Sequence, residues 1–306
     1  ERRHEPGAVE FAVNYGSGKC GDDLEWVLDG HGVLTVSGTG EMTSSPWLLY
    51  SSKIAKAEIR AGAASIIDRA FYNCAYMTEA EIASSVSSIG GLAFFGCADL
   101  KEINIPDNIT SIKKYTFYGC MALTSISIPG SVTSIGEYAF FDCRSLVELN
   151  IGEGVTEIGK CAFEDCNSLT YLLIPDSVTT IGESAFRCES LKKVIIGKGV
   201  SDIGYAAFYR VPGLTSAGPV GGGYSIEFSW TDAIPRYAFS WCTGLTGITL
   251  PDSLTAIDFR AFYSCTGLKS VTVPSGVTRI EEGAFYGCSS LEKVIIPASV
   301  EQMGLS

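Results

Sequence analysis

The sequence predicts an α/β repeat solenoid, one short coil stacked on the next, with a parallel β-sheet along one side and short helical turns along the other. Three observations carry this. A phrase that opens Val132-Thr-Ser-Ile-Gly-Glu-Tyr-Ala-Phe-Phe-Asp-Cys143 and closes on Leu149-Asn-Ile-Gly152 starts again 23 residues later at Val155. Cys74, Cys97, Cys120, Cys143 and Cys166 mark the same step one after another. The composition, 46% hydrophobic and 18% charged, suits a well-packed chain and not a disordered one. A period in the twenties means that each repeat buries its apolar face only against its neighbours.

Taken in chain order, residues 1–49 read as an amino-terminal β-hairpin cap. Leu24-Glu-Trp-Val-Leu28 and Val33-Leu-Thr-Val36 alternate on either side of Asp29-Gly-His-Gly32, a hairpin signal. A solenoid end left open exposes core and strand edges, so a cover is expected there. Met42 to Tyr50 leads into a first degenerate coil, with Ile54-Ala-Lys-Ala-Glu-Ile59 and Ala63-Ala-Ser-Ile66. The solenoid occupies 50–306, about ten coils. In each coil a stretch such as Leu123-Thr-Ser-Ile-Ser-Ile128 has the period of two expected of a strand with one buried face. Pro106, Pro129, Pro175, Pro251, Pro274 and Pro297 end these strands, and Gly152 and Gly197 share their slot. A short β-bridge is expected at Val-Thr-Ser-Ile. The Ala-Phe-x-x-Cys spacing after it suits one helical turn, too brief to stand alone. Val300 to Ser306 begins a further coil.

The rhythm breaks in three places. Ala185-Phe-Arg-Cys188 is one residue short. Val211 replaces the cysteine of its coil. The segment 211–232 is irregular, with an insertion rich in glycine and aromatics, Val220-Gly-Gly-Gly-Tyr-Ser-Ile-Glu-Phe-Ser-Trp230. Such insertions either carry function at the solenoid edge or bridge two arrays.

Ala-Phe-x-x-Cys-x-x-Leu-x-x-Ile-x-Ile-Pro, followed by Val-Thr-x-Ile-Gly, resembles the BspA-like branch of the leucine-rich-repeat superfamily. Gly18-Lys-Cys-Gly-Asp-Asp-Leu-Glu-Trp26 and Leu34-Thr-Val-Ser-Gly-Thr-Gly-Glu-Met42 are similar to segments that precede such repeats in secreted bacterial proteins. The resemblance implies a right-handed leucine-rich-repeat solenoid. It also implies a secreted or surface-attached bacterial protein linked to adhesion and protein binding, with no shared catalytic residues to carry over.

Composition removes several function classes. A formal net charge of −12 disfavours nucleic acid and anionic membrane surfaces. No run approaches the roughly 18 apolar residues of a membrane span, so no membrane insertion is expected. The polar start Glu1-Arg-Arg-His-Glu-Pro6 lacks an apolar signal core, so an extracellular or cell-surface location implies an export signal outside this segment. The histidines are His4 and His31 and no Cys-x-x-Cys occurs, which leaves neither a metal site nor a Ser-His-Asp arrangement. Gly16-Ser-Gly-Lys-Cys-Gly21 matches a dinucleotide fingerprint by letters, but a second β segment follows where a helix is needed, so no cofactor is expected. The repeated cysteines read as free buried thiols. Cys20 and Cys161 lie off that ladder and are the candidates for a reactive or paired thiol.

What remains is the outward face of the sheet, where alternation points the polar slots. Its amino-terminal half is acidic, with Glu79, Glu81, Glu102 and Glu148. Its middle offers Tyr171, Leu173 and Ile195 beside Lys193, a candidate contact patch. Tyr224, Phe228 and Trp230 of the insertion form a second candidate set. The sequence therefore points to non-catalytic binding of a protein or glycan. The alternatives are a structural spacer in a larger surface protein and a glycan-active enzyme built on the acidic half.

Overall fold

The computed structural model describes residues 14–304, so the first thirteen residues of the expected cap lie outside it. Gly16–Lys19, Asp23–Leu28 and Val33–Thr39 form an antiparallel unit. Its tight turn is held by Asp29, whose Oδ1 accepts the N–H groups of His31 and Val33, each at 2.9 Å. Val33–Thr39 then pairs in parallel with Lys56–Ile59 and passes the cap's hydrogen bonding to the first coil. From there the chain makes a parallel β-solenoid of about 12 turns.

The coils share one core line. Trp47, Phe71, Phe94, Phe117, Phe140, Phe163, Phe186 and Phe208 lie ring on ring with centroids 5.0–5.9 Å apart. Trp26 of the cap closes the stack edge-on, 6.0 Å from Trp47. Trp47 sits in a 3-10 helix, Pro46–Lys53, and fills the Phe slot of the degenerate first coil; its indole N–H donates to Ala70 O at 2.7 Å. Cysteines run beside the rings. Seven of them aim Sγ at the carbonyl of the Phe in the preceding coil, from 2.9 Å for Cys265 to 3.4 Å for Cys143. The slot is thus a small hydrophobe that also satisfies a buried acceptor. All eleven cysteines are free and buried.

The predicted helical turns are absent. The Ala-Phe-x-x-Cys segments are runs of tight turns, and the 3-10 segment Pro46–Lys53 is the one helix among the described residues. The reason is where the N–H groups go. Phe117 N donates to Ala139 O of the next coil at 2.8 Å, while Tyr118 N closes a turn on Tyr115 O at 3.3 Å. Alternating coil-to-coil and local bonds needs residues at positive φ, such as Tyr115 at 59° and Tyr138 at 55°. That conformation costs a bulky L-residue roughly 1–2 kcal/mol, and the bond to the next coil offsets it.

The strand-forming sides are not continuous. The main sheet runs unbroken from the cap to Glu102–Ile103. A separate pair follows, Ser125–Ile128 with Glu148–Ile151, and then seven strands from Tyr171–Ile174 to Lys293–Ile295. Inside that last group the insertion folds as a strand, not a loop. Ile226–Phe228 sits between Lys193–Ile196 and Ser216–Pro219, parallel to both, so the chain steps back by one strand before going on.

Candidate binding face

The outward slots fall on the sheet face as alternation predicts. In the amino-terminal half Lys56 Nζ gathers Glu81 at 2.9 Å, Glu79 at 3.1 Å and Glu58 at 3.6 Å. The bond to Lys56 holds the Glu81 carboxyl below the usual carboxylate range. Lys56 thus offsets one of these three charges and Arg60, 3.2 Å from Glu58, a second, so this half of the face stays acidic. Glu102 is exposed in register with Glu79. Asn104 breaks the pattern: its side chain turns to the backbone of Ile82, accepting from the N–H at 2.8 Å and donating to the carbonyl at 2.7 Å. A side chain there replaces the next rung of the ladder.

The sheet opens at its middle. No backbone hydrogen bond among the described residues joins Glu148–Ile151 to Tyr171–Ile174, and a cleft of about 340 Å³ lies between them. Leu149 and Ile151 line it beneath a rim of Glu148, Val147, Tyr171 and Leu173. Tyr171 is 48% exposed and Leu173 47%. The fold thus brings together three of the residues singled out in the sequence, Glu148, Tyr171 and Leu173. It adds Val147, also exposed, which alternation had not marked. Its signal was available, since the equivalent slots hold Thr124, Thr170 and Lys192. A second opening, of about 400 Å³, separates Glu102–Ile103 from Ser125–Ile128; Glu148 lines it and Glu102 does not. The Ser125–Ile128 strand stands between Glu102 and Glu148, so the two carboxylates do not converge on one bond.

Lys193 and Ile195 are in register with Tyr171 and Leu173 on the next strand, and both are half-buried. Lys193 is committed to the insertion: Nζ donates to Tyr224 O at 2.6 Å and lies 2.5 Å from the Glu227 carboxylate. Glu227 also accepts the N–H groups of Gly221 at 3.2 Å and Gly223 at 2.9 Å. Lys193 first, then Gly221, hold its carboxyl below the usual range against the opposing effect of burial. The glycines of this loop are structural. A Cβ on Gly218 would stand 2.4 Å from the Tyr224 ring and one on Gly222 2.2 Å from it.

Two expectations for the insertion are corrected. Phe228 is 1% exposed and Trp230 7%, so neither presents a surface to a partner. Ile226 and Phe228 lie on the inward face of a strand, and the Trp230 indole N–H is bonded to Val200 O at 2.7 Å. The two rings pack on one another at 4.9 Å and on Phe239, taking up the ring stack where it passes the inserted strand. Tyr224 is half-buried at the edge. The reactive-thiol expectation fails as well, since Cys20 and Cys161 are buried. Burial, then Glu25, pushes the Cys20 thiol up to about 11; burial, then Glu164, pushes Cys161 up to about 12.

The sequence pattern of the BspA type leucine-rich repeat region matches in six copies, over residues 43–124, 110–218 and 226–306. The chain belongs to this family. BspA-type repeats therefore account for most of its length, and solved structures give the same fold. One, the pneumococcal vaccine antigen PcpA, is 18% identical with a TM-score of 0.53, over 93% of this chain and 84% of that one. The T. pallidum leucine-rich repeat protein is 24% identical with a TM-score of 0.50, over 68% of this chain and 96% of that one. A leucine-rich cell surface protein from Faecalibacterium prausnitzii is 23% identical over 96% of this chain and 91% of that one, with a TM-score of 0.41. No curated protein matches the sequence. Membership of the BspA-type family suggests a protein-binding or surface-associated role. No helix among the described residues is long and apolar enough to cross a membrane.

Proposed function

We propose that this chain is a non-catalytic binding module of a secreted or surface-attached protein, and that it engages a protein partner at the opening between Glu148–Ile151 and Tyr171–Ile174. One observation carries this reading. At this one of the two openings the outward face carries exposed apolar side chains, and Tyr171, Leu173 and Val147 rim a cleft with Leu149 and Ile151 below them. Exposed apolar residues grouped around a concavity, with Glu148 and Asn150 at the edge, have the make-up of a contact site. The coils hold the site in shape, which lowers the ordering cost of association. A catalytic reading finds little support, because the carboxylates of this face are spread along separate strands or paired with Lys56.

The test is Tyr171→Ala combined with Leu173→Glu. Both side chains are about half exposed, so the melting temperature should stay within a few degrees of wild type, while capture of a partner from surface extracts or glycan arrays is lost. Unaltered capture removes this face from consideration. Capture of a glycan in place of a protein changes the partner class.

A further inference from the structure

The step back in the seven-stranded sheet has a consequence on the opposite flank. From Tyr171–Ile174 to Ser270–Thr272 the sheet contains three intervening coils' worth of strands plus the inserted Ile226–Phe228. The flanking ladder of short bridges over the same stretch runs Thr180–Ile181, Asp202–Ile203, Ala233–Ile234 and Ala256–Ile257, and lacks a counterpart for the inserted strand. Thr180–Ile181 pairs with Asp202–Ile203, and Ala233–Ile234 with Ala256–Ile257, but Asp202–Ile203 and Ala233–Ile234 are not paired. With roughly 4.8 Å per strand, the missing member leaves those two bridges about 10 Å apart, the room of one strand. A cleft of about 520 Å³ opens there, with Trp230, Val200 and Ala233 among its lining residues.

Along the seam lie hydrogen-bonding groups that a strand would use; Ser201, Asp232 and Ala233 line the cleft itself, and Ile203 follows just beyond its lining. In a regular coil Thr133 O accepts Thr156 N at 2.8 Å, and Ile135 O accepts Gly159 N at 2.8 Å. The equivalent acceptors Ser201 O and Ile203 O have no such partner among the described residues, and neither do the donors Asp232 N and Ala233 N. Pro235 stands where Gly159 stands in its coil, and proline has no N–H to give. The ladder is also interrupted between Ser88–Ile89 and Ser111–Ile112. No extra strand lies opposite that break, and Phe94 and Phe117 stay stacked at 5.4 Å across it. The charges at the seam are mostly matched, Lys198 with Asp176 at 3.3 Å, Asp258 with Arg279 at 3.0 Å, and Arg236 with Asp202 at 2.9 Å, an ion pair that joins the two walls and that an incoming strand must pass or displace. Asp232 has no ion-pair partner among the described residues and is exposed.

We infer that the seam between Asp202–Ile203 and Ala233–Ile234 is a second binding site, built to accept an extended segment of a partner protein as the missing rung, with a cationic side chain beside Asp232. The incoming segment runs parallel to its neighbours. It donates N–H groups to Ser201 O and Ile203 O and accepts from Asp232 N and Ala233 N, which is strand addition inside a ladder. Specificity comes from the carboxylate of Asp232 and from Trp230 beneath the strand.

The probe is the chain's own rung with a cation in it, a fluorescein-labelled Val-Thr-Lys-Ile-Gly-amide, followed by anisotropy on the intact protein. It should bind saturably at sub-millimolar concentration. Asp232→Lys should weaken it about tenfold, as should N-methylation of the peptide amides that face Ser201 and Ile203. Ala233→Pro removes one donor that the fold itself does not use, and should weaken it several-fold with little change in melting temperature. If Ala233→Pro does not fold, Asp232→Lys and the methylated peptide still decide. Tyr171→Ala with Leu173→Glu should leave this binding unchanged, which separates the seam from the face proposed above. The inference is overturned if the peptide fails to bind at millimolar concentration, if the methylated peptide binds as well, or if Asp232→Lys has no effect.

Discussion

The glycine-rich insertion is held by one carboxylate, and removing its charge has a calculable effect. Glu227 accepts two loop N–H groups and faces Lys193 at 2.5 Å, with its side chain 7% exposed. Glu227→Gln keeps the shape and Oε1, whose bonds from Lys193 and Gly223 become neutral, but sets an amide NH2 against the Gly221 N–H in place of Oε2. At roughly 0.5–1 kcal/mol for each of the three bonds the loss is about 1.5–3 kcal/mol. Glu227→Leu strands both N–H groups and the ammonium, for about 3 kcal/mol. The sign of the pH dependence follows from the lowered carboxyl pKa. A depressed folded-state pKa gives stability that is fully present above the unfolded value near 4.3 and is lost as pH falls through the folded one. The wild-type advantage over Glu227→Gln should therefore be constant from pH 7 to about 5 and shrink below pH 4. Because coils of a solenoid can unfold separately, amide exchange at Gly221 to Ser225 reads the loop more directly than a global melt. Protection in Glu227→Gln should fall about tenfold at neutral pH. A deficit that persists undiminished at pH 3 would falsify the ion-pair account.

Phe140→Ala should cost about 3–5 kcal/mol by chemical denaturation, since the ring is buried in the middle of the stack; a loss under 1 kcal/mol would show that the neighbouring coils collapse into the space. All eleven thiols should titrate in denaturant and almost none within minutes in the native state, and rapid modification of Cys161 at pH 8 would contradict its burial and a pKa near 12. Asn104→Ala should destabilise by about 1–2 kcal/mol and raise amide exchange at Ile82; unchanged exchange there would mean that water replaces the side chain without loss.

The periodic part of the fold was legible because its information is local. Alternation in Leu123 to Ile128 marks a strand by itself, and one repeat reports on all others. Three features escaped because they depend on partners distant in sequence. Ala-Phe-x-x-Cys has helical spacing, yet whether Phe117 N bonds within its own turn or to Ala139 of the next coil is decided by the neighbour. Ile226-Glu-Phe228 does alternate, which could have marked a strand, but nothing local says that it pairs backwards with Lys193–Ile196. Reading the glycines as a loop left Phe228 and Trp230 exposed on paper when the inserted strand makes them core. Trp47 was hidden for the opposite reason: the first coil has lost the phrase but kept a large ring in its slot.

Departures from the repeat also explain where surface becomes available for binding. In a regular coil each backbone group is spent on the coils before and after it, and each invariant side chain on the core. A partner can compete only where that arrangement lapses. Asn104 takes over the bonds of Ile82 and the sheet parts beside it. Val147 and Tyr171 place apolar side chains at the rim of the next opening. Pro235 removes a donor that glycine supplies in other coils, opposite a strand with no counterpart. The sites should therefore follow these residues and not the repeat itself. Pro235→Gly restores the N–H but not the missing strand. It should leave the seam open and strengthen binding of the rung peptide a few-fold; a seam closed by this change would show that the proline, and not the extra strand, makes the cleft.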